Sequence, residues 1–204
     1  MISDLLHNDR VTFDRPMPQF SNRDLLDLTW LLGSVHAKDV LEIGCWIGHS
    51  TAAICLALEK TSGRLTVVDT FDGAGSMLSV YAKRGFNVKE EFIKNMTEIG
   101  VMDRIRVLHG TSDAMVREVE DGSQDLIFID GDHRYSQVKK DIRNYLPKLR
   151  PGGIICGHDY ESPIYDERHI EQDFHAGSHH GVTKAVNEAF PNVRVTGVIW
   201  YAHG

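Results

Sequence analysis

Between residues 39 and 160, short apolar runs alternate with longer stretches whose apolar residues recur every three or four positions. The runs are DVLEIG (39–44), RLTVVDTFDG (64–73), RIRVLHG (104–110), DLIFID (125–130) and IICGHDY (154–160). Rich in aliphatic residues and punctuated by Gly or Asp, they have the pattern of strands buried on both faces. The stretches between them read as helices. HSTAAICLALEK (49–60) opens on hydroxyl residues that can cap it, and VKEEFIKNMTEIG (88–100) puts Val88, Phe92, Met96 and Ile99 in register before Gly100 ends it. SDAMVREVE (112–120) predicts a short helix. SQVKKDIRNYLPKLR (136–150) carries Val138, Ile142, Tyr145 and Leu149 at helical spacing, with Pro147 set to kink or end it.

Ahead of the first run, Ser21 and Asp24 stand at capping-box spacing, with Asp in place of Glu, and Leu25, Leu28, Leu31 and Leu32 follow on one helical face. Beyond the last run, a polar, histidine-rich insertion of about 161–180 leads into GVTKAVNEAF, a helix, and NVRVTGVIWYAHG, two closing strands. Trp30 and Trp200 read as core or sheet residues, and Trp46 as either core or ligand contact. Successive βα units joined by right-handed crossovers give a doubly wound, Rossmann-like α/β fold with helices on both faces of a mostly parallel sheet. Ligands of such sheets bind beyond the carboxyl ends of the strands. There GCWIGHS, DTFDG, GTSD, DGDH and GHDY would converge.

Length and composition narrow the picture. The 204 residues, 42% hydrophobic and 25% charged, suit one domain (1–204), with 1–36 as an N-terminal helical extension. A net charge of −7 without a basic cluster argues against nucleic acid as a partner. Cys45, Cys55 and Cys156 form no CxxC pair and read as buried thiols of a reducing compartment. The acidic N-terminus lacks the basic, apolar character of a signal peptide, and no run reaches membrane-spanning length. The expectation is a cytoplasmic protein, with a homo-oligomer left open.

Gly44 and Gly48 bracket the turn from the first strand into its helix, where missing side chains let a ligand approach the backbone. Their G-x-x-x-G spacing is not the dinucleotide fingerprint. Packing alone could require both glycines. Asp69 ends the second strand where an acid can hold ribose hydroxyls, although a turn or cap explains an isolated Asp as well. In DLIFIDGDHRY, two carboxylates follow a buried strand with no basic residue ahead of Arg134, so they call for a cation, a ligand or water.

Taken in order, Glu42-x-Gly44-x-x-x-Gly48, Asp69, DLIFIDGDHRY and LRPGGIICGHDY resemble the class I S-adenosylmethionine-dependent methyltransferases, and most closely the macrocin and cephalosporin-type O-methyltransferases. The resemblance runs from about residue 37 to 160. It implies a seven-stranded sheet with an antiparallel last strand. It also implies transfer of a methyl group from S-adenosylmethionine to a hydroxyl oxygen of a small molecule, such as a sugar or polyol. By the same resemblance, Glu42, Gly44, Trp46 and Gly48 line the methionine and ribose portions, with Ser50 or Thr51 near the carboxylate. Asp69 holds the ribose, Thr70 and Phe71 flank the adenosine, and Ser112 lies by the adenine.

Metal-dependent members hold a divalent cation by an acid ending strand four and a pair ending strand five, matched here by Asp130, His158 and Asp159. Asp130 thereby borders both cofactor and metal, and Asp130, His133 and Asp159 form the expected catalytic set. A divalent cation, Mg or Mn, is the implied partner; His158 replaces a usual acid, which weakens the case for magnesium, and a mixed Asp/His set suits manganese, iron or zinc comparably well. His133 offers a metal-free alternative as general base; a loop opening the next helix is the less favoured reading of Asp132 and His133. His169, His175, His179 and His180 read as solvated surface on a loop covering the acceptor. Two other functions remain open: a metal-dependent hydrolase or oxygenase, and a non-catalytic module that binds the cofactor.

Overall fold

The computed structural model describes residues 20–72 and 87–204. The first 19 residues of the N-terminal extension and most of the loop of about 72–84, expected to shape the acceptor pocket, lie outside that range. In chain order the elements are α1 (Asn22–Ser34), β1 (Asp39–Ile43), α2 (His49–Leu58), β2 (Arg64–Asp69), α3 (Val88–Ile99), β3 (Ile105–His109) and α4 (Ser112–Met115). They continue with β4 (Gln124–Ile129), α5 (Tyr135–Tyr145), β5 (Leu149–Gly157), α6 (His180–Ala189), β6 (Arg194–Thr196) and β7 (Ile199–His203).

The strands form one seven-stranded sheet in the order β3-β2-β1-β4-β5-β7-β6. β1 pairs in parallel with β2 and β4, and β7 runs antiparallel to both β5 and β6. Side-chain alternation explains why the apolar runs are continuous. Val40, Leu65, Val67, Leu126, Phe128 and Cys156 face a cluster with α1, α2 and α3, whereas Leu41, Ile43, Val68, Ile127, Ile129 and Ile155 face α5 and α6. Both faces are buried, and polar positions are left for the strand tips.

Local signals hold at most boundaries. Ser21 Oγ accepts from Asp24 N (3.2 Å) and Asp24 Oδ2 from Ser21 N (2.8 Å), completing the capping box. Gly100 ends α3 in the left-handed region at φ 82°, and Pro147 falls in a 3-10 turn just after α5. All three cysteines are free and buried, as expected. Two expectations fail. Trp200 is core, but Trp30 is 56% exposed and meets Tyr201 edge-on, because it lies on the outer face of α1. The hydroxyl cap of α2 is absent: Gly48 is the N-cap, and the hydroxyls of Ser50 and Thr51 turn instead to the buried Glu42.

A buried polar cluster joins α4 to α5. Asp141 Oδ1 accepts from Ser112 Oγ (2.6 Å) and Gln137 Nε2 (3.0 Å), while Tyr145 donates to the Ser112 carbonyl (2.8 Å). Burial outweighs both donors and pushes Asp141 up to about 6. With its folded value above its unfolded one, ionisation opposes folding: the stability present below pH 4 falls as pH rises through about 6, by about 3 kcal/mol at most. Asp141→Asn keeps the acceptor oxygen and removes the charge. Its urea midpoint relative to wild type is therefore expected to rise between pH 4 and pH 8; an equal offset at both values would refute the cause given.

Candidate active site

The site is assembled at the carboxyl ends of β1, β2, β4 and β5. At the tip of β1, Gly44 (φ 83°) and Gly48 (φ 98°) turn the chain sharply into α2. A Cβ on Gly44 would lie 2.1 Å from the Asp130 carbonyl oxygen, so this glycine lets the loop pack on the end of β4. Trp46 between them is also left-handed (φ 48°), as are Phe71 (56°) and Asp159 (67°), which follow β2 and β5. Each costs roughly 1–2 kcal/mol in a side-chain-bearing residue, and such strain gathers where neighbouring structure imposes it.

Asp69 organises this end of the sheet. Its Oδ2 accepts from the backbone amides of Cys45 (2.7 Å) and Trp46 (2.9 Å), and Oδ1 accepts from Phe71 N (2.6 Å). A carboxylate has about four acceptor positions, so one on Oδ1 remains. Glu42 is fully buried beneath the loop, where Ser50 and Thr51 (2.6 Å) donate to its two oxygens. Burial dominates these donors and pushes Glu42 up to about 8. Glu42, Ser50 and Thr51 thus support the loop from below. Thr70 and Phe71 continue from Asp69, with Phe71 packed on Phe92. Ser112, at the start of α4, donates its hydroxyl to Asp141.

The acids of DGDH separate into two environments. Asp132 pairs with Arg134, through Nε at 2.9 Å and through its terminal nitrogen, which accounts for one of the two carboxylates from sequence-local residues. Asp130 instead faces His133, whose Nε2 is 3.6 Å from Asp130 Oδ1 and 3.0 Å from Asp159 Oδ2, while Nδ1 meets Asp173 Oδ1 at 2.8 Å. Burial lowers His133, but Asp130, Asp173 and Asp159 outweigh it and hold the imidazole well above its ordinary value.

His158 lies deeper. Its Nδ1 bonds Asp159 Oδ1 (2.8 Å), Nε2 is 3.5 Å from Asp24 Oδ2, and its ring stacks on Phe20 with centroids 4.3 Å apart. The two carboxylates overcome burial and push it up to about 10. Conversely, burial raises Asp159, but His158 and His133 hold it far below the usual carboxylate range. His179 corrects the surface expectation for the insertion. It packs edge-on against His133 (4.6 Å), its Nδ1 is 3.4 Å from Asp159 and 2.6 Å from Glu161, and it is 14% exposed.

The structure therefore brings together Asp130, His133, His158 and Asp159, and adds Asp24, Glu161, Asp173 and His179. The capping-box motif gave Asp24 a local role only, and Asp173 had no signal beyond lying in an acidic, histidine-rich loop.

The glycine turn, the acid after β2 and the charged cluster beyond β4 and β5 gather at the carboxyl ends of the strands, where doubly wound sheets bind their ligands. The methyltransferase domain model matches residues 41–160, and the chain belongs to that family. It is 31% identical over 137 residues to the uncharacterized protein y4gI of Sinorhizobium fredii, covering 65% of this chain and 14% of that one. It is 25% identical over 178 residues to the 8-demethyl-8-(2,3-dimethoxy-alpha-L-rhamnosyl)-tetracenomycin-C 4'-O-methyltransferase of Streptomyces olivaceus, covering 79% and 65%. The chain thus spans less than two thirds of either relative. Its fold matches that of the O-methyltransferase from Bacillus cereus in complex with SAH, with a TM-score of 0.65, 19% identity, and coverage of 100% of this chain and 90% of that one. Among the described residues no helix is long and apolar enough to cross a membrane.

Proposed function

We propose that this chain transfers a methyl group from S-adenosylmethionine to a hydroxyl oxygen of a small molecule, in a crevice between the β1 and β2 tips on the cofactor side and the β4 and β5 tips on the acceptor side. The observation that carries this reading is Asp69: at the end of β2 it fixes the glycine turn and keeps one acceptor position open. The cofactor fits the residues present. The turn presents backbone rather than side chains, the first turn of α2 has no side-chain cap, and the remaining lone pair of Asp69 suits a ribose hydroxyl.

In the transfer, the acceptor oxygen forms a bond to the methyl carbon as the carbon–sulfur bond breaks, giving S-adenosylhomocysteine, a methyl ether and a proton. The chain's part is alignment and removal of that proton. In this reading the hydroxyl lies beside Asp130, His133 and Asp159. His133 is hemmed in by three carboxylates that hold it well above its ordinary value, a direction that disfavours it as the base. A divalent ion suits the cluster better: His133 Nε2 is buried without a hydrogen-bond partner, and two overlapping groups, His133 with Asp159 and His179, and Asp130 with His158 and Asp159, each offer donors within 4.8 Å of one another. Such an ion would lower the hydroxyl pKa and hold its oxygen. The relative that methylates a rhamnosyl hydroxyl supports a sugar acceptor, and the composition supports a cytoplasmic setting.

Calorimetry with S-adenosylhomocysteine, followed by assay of its release from S-adenosylmethionine with deoxysugar glycosides as acceptors, tests this function. Saturable binding and acceptor-dependent release are expected. Absence of binding at millimolar cofactor would end the methyltransferase reading and leave the hydrolase or oxygenase alternative.

A further inference from the structure

We propose that the histidine-rich loop makes the acceptor side a transition-metal centre, in which His133, Asp159 and His179, with Asp130 beside them, hold one divalent ion through two imidazoles and two carboxylates. This deepens the ion-assisted reading above and rests on it only for what the ion does in turnover.

One ligand atom from each of His133, Asp159 and His179 falls within a single 4.8 Å group. The closest separations are 3.0 Å from His133 Nε2 to Asp159 Oδ2, 3.4 Å from His179 Nδ1 to Asp159 Oδ1, and 3.6 Å from His133 Nε2 to Asp130 Oδ1. Donors bound at about 2.1 Å to one ion stand about 3.0 Å apart at octahedral angles and about 3.4 Å apart at tetrahedral ones. The side chains therefore need little movement to close on it.

His133 supplies an independent pointer to a ligand. Its Nε2 is shielded from solvent and makes no hydrogen bond, even with Asp159 Oδ2 at 3.0 Å. The ring does not aim an N–H at that oxygen; an ion between them satisfies both atoms. Asp173 on Nδ1 (2.8 Å) leaves His133 Nε2 as the nitrogen facing the ion, the carboxylate–histidine arrangement that orients metal ligands, whereas Glu161 lies 2.6 Å from His179 Nδ1 itself, so ion binding there exchanges that hydrogen bond for a metal bond.

His158 serves this centre differently. Both of its nitrogens face carboxylates, Asp159 at 2.8 Å and Asp24 at 3.5 Å, so it positions Asp159 from behind. Two imidazoles favour manganese, iron, cobalt or zinc over magnesium, which prefers oxygen donors and retained waters.

The test uses the whole chain stripped by chelator, titrated with cobalt(II) and separately with magnesium, following the visible cobalt absorption and the heat of binding. S-Adenosylhomocysteine affinity is measured alongside. Cobalt is expected to bind at least roughly 100-fold more tightly than magnesium, His133→Gln and His179→Gln each to weaken it by roughly 10-fold or more, and His158→Gln, which removes a support of Asp159 rather than a donor, to weaken it less than either. Magnesium preference, no cobalt binding below millimolar, or loss in His158→Gln with retention in His179→Gln would overturn the assignment. Should His158→Gln fail to fold, nitrogen hyperfine splitting of copper(II) bound to the wild type counts the imidazoles: two support the centre, and one or none overturns it. Cofactor binding without ion binding sinks this inference alone, and the reverse sinks the transferase reading alone.

Discussion

Replacing Asp69 with alanine is expected to weaken S-adenosylhomocysteine binding by about 100-fold, the worth of roughly one or two hydrogen bonds to a charged acceptor. Two effects combine. The variant loses the lone pair assigned to a ribose hydroxyl, and it releases the amides of Cys45, Trp46 and Phe71, which hold the turns after β1 and β2 in place. A double cycle with the 2′-deoxy cofactor product separates them. If Asp69 meets the ribose, removing the hydroxyl costs wild type much more than the variant. Equal costs in both proteins would confine Asp69 to loop support.

Gly44→Ala is expected to destabilise the protein by about 3 kcal/mol or more, the sum of a left-handed backbone penalty and overpacking. The new methyl group would meet the Asp130 carbonyl oxygen at 2.1 Å, its carbon at 2.5 Å and Gly131 Cα at 2.6 Å, all backbone atoms. Neither chain can retreat easily, because Asp130 N donates to the Ile43 carbonyl (2.8 Å) and Gly44 N to that of Val68 (2.9 Å). Gly48→Ala is a useful contrast. Its Cβ meets chiefly the flexible end of Met96, so its cost should be dominated by the backbone alone. Urea unfolding of both variants decides the matter; Gly44→Ala within about 1 kcal/mol of wild type would show that the β1 turn tolerates a side chain.

The sheet and its helices were legible because their causes are local. Buried strands repeat every two residues, helical faces every three or four, and Ser21, Gly100 and Pro147 act through their own backbone. The tips of the strands were legible for the same reason: a strand that ends at Asp69, Asp130 or Asp159 must present that acid beyond the sheet once the strands are parallel. Two local readings failed where a distant partner competed. The hydroxyls opening α2 cap nothing because the buried Glu42 carboxylate has greater need of them, and Trp30 lies on the outer face of α1, a matter of how that helix packs.

The sequence alone therefore determined the layered α/β architecture, the glycine turn and the acids lining the crevice, since each follows from residues adjacent in the chain. Tertiary structure alone decided who partners those acids. Asp24, Asp173 and His179 reach Asp159 or the histidines beside it from a helix cap and a loop separated from one another by well over a hundred positions. No periodicity encodes such meetings, because ion pairs and donor sets depend on distances of a few ångströms that only the folded chain fixes.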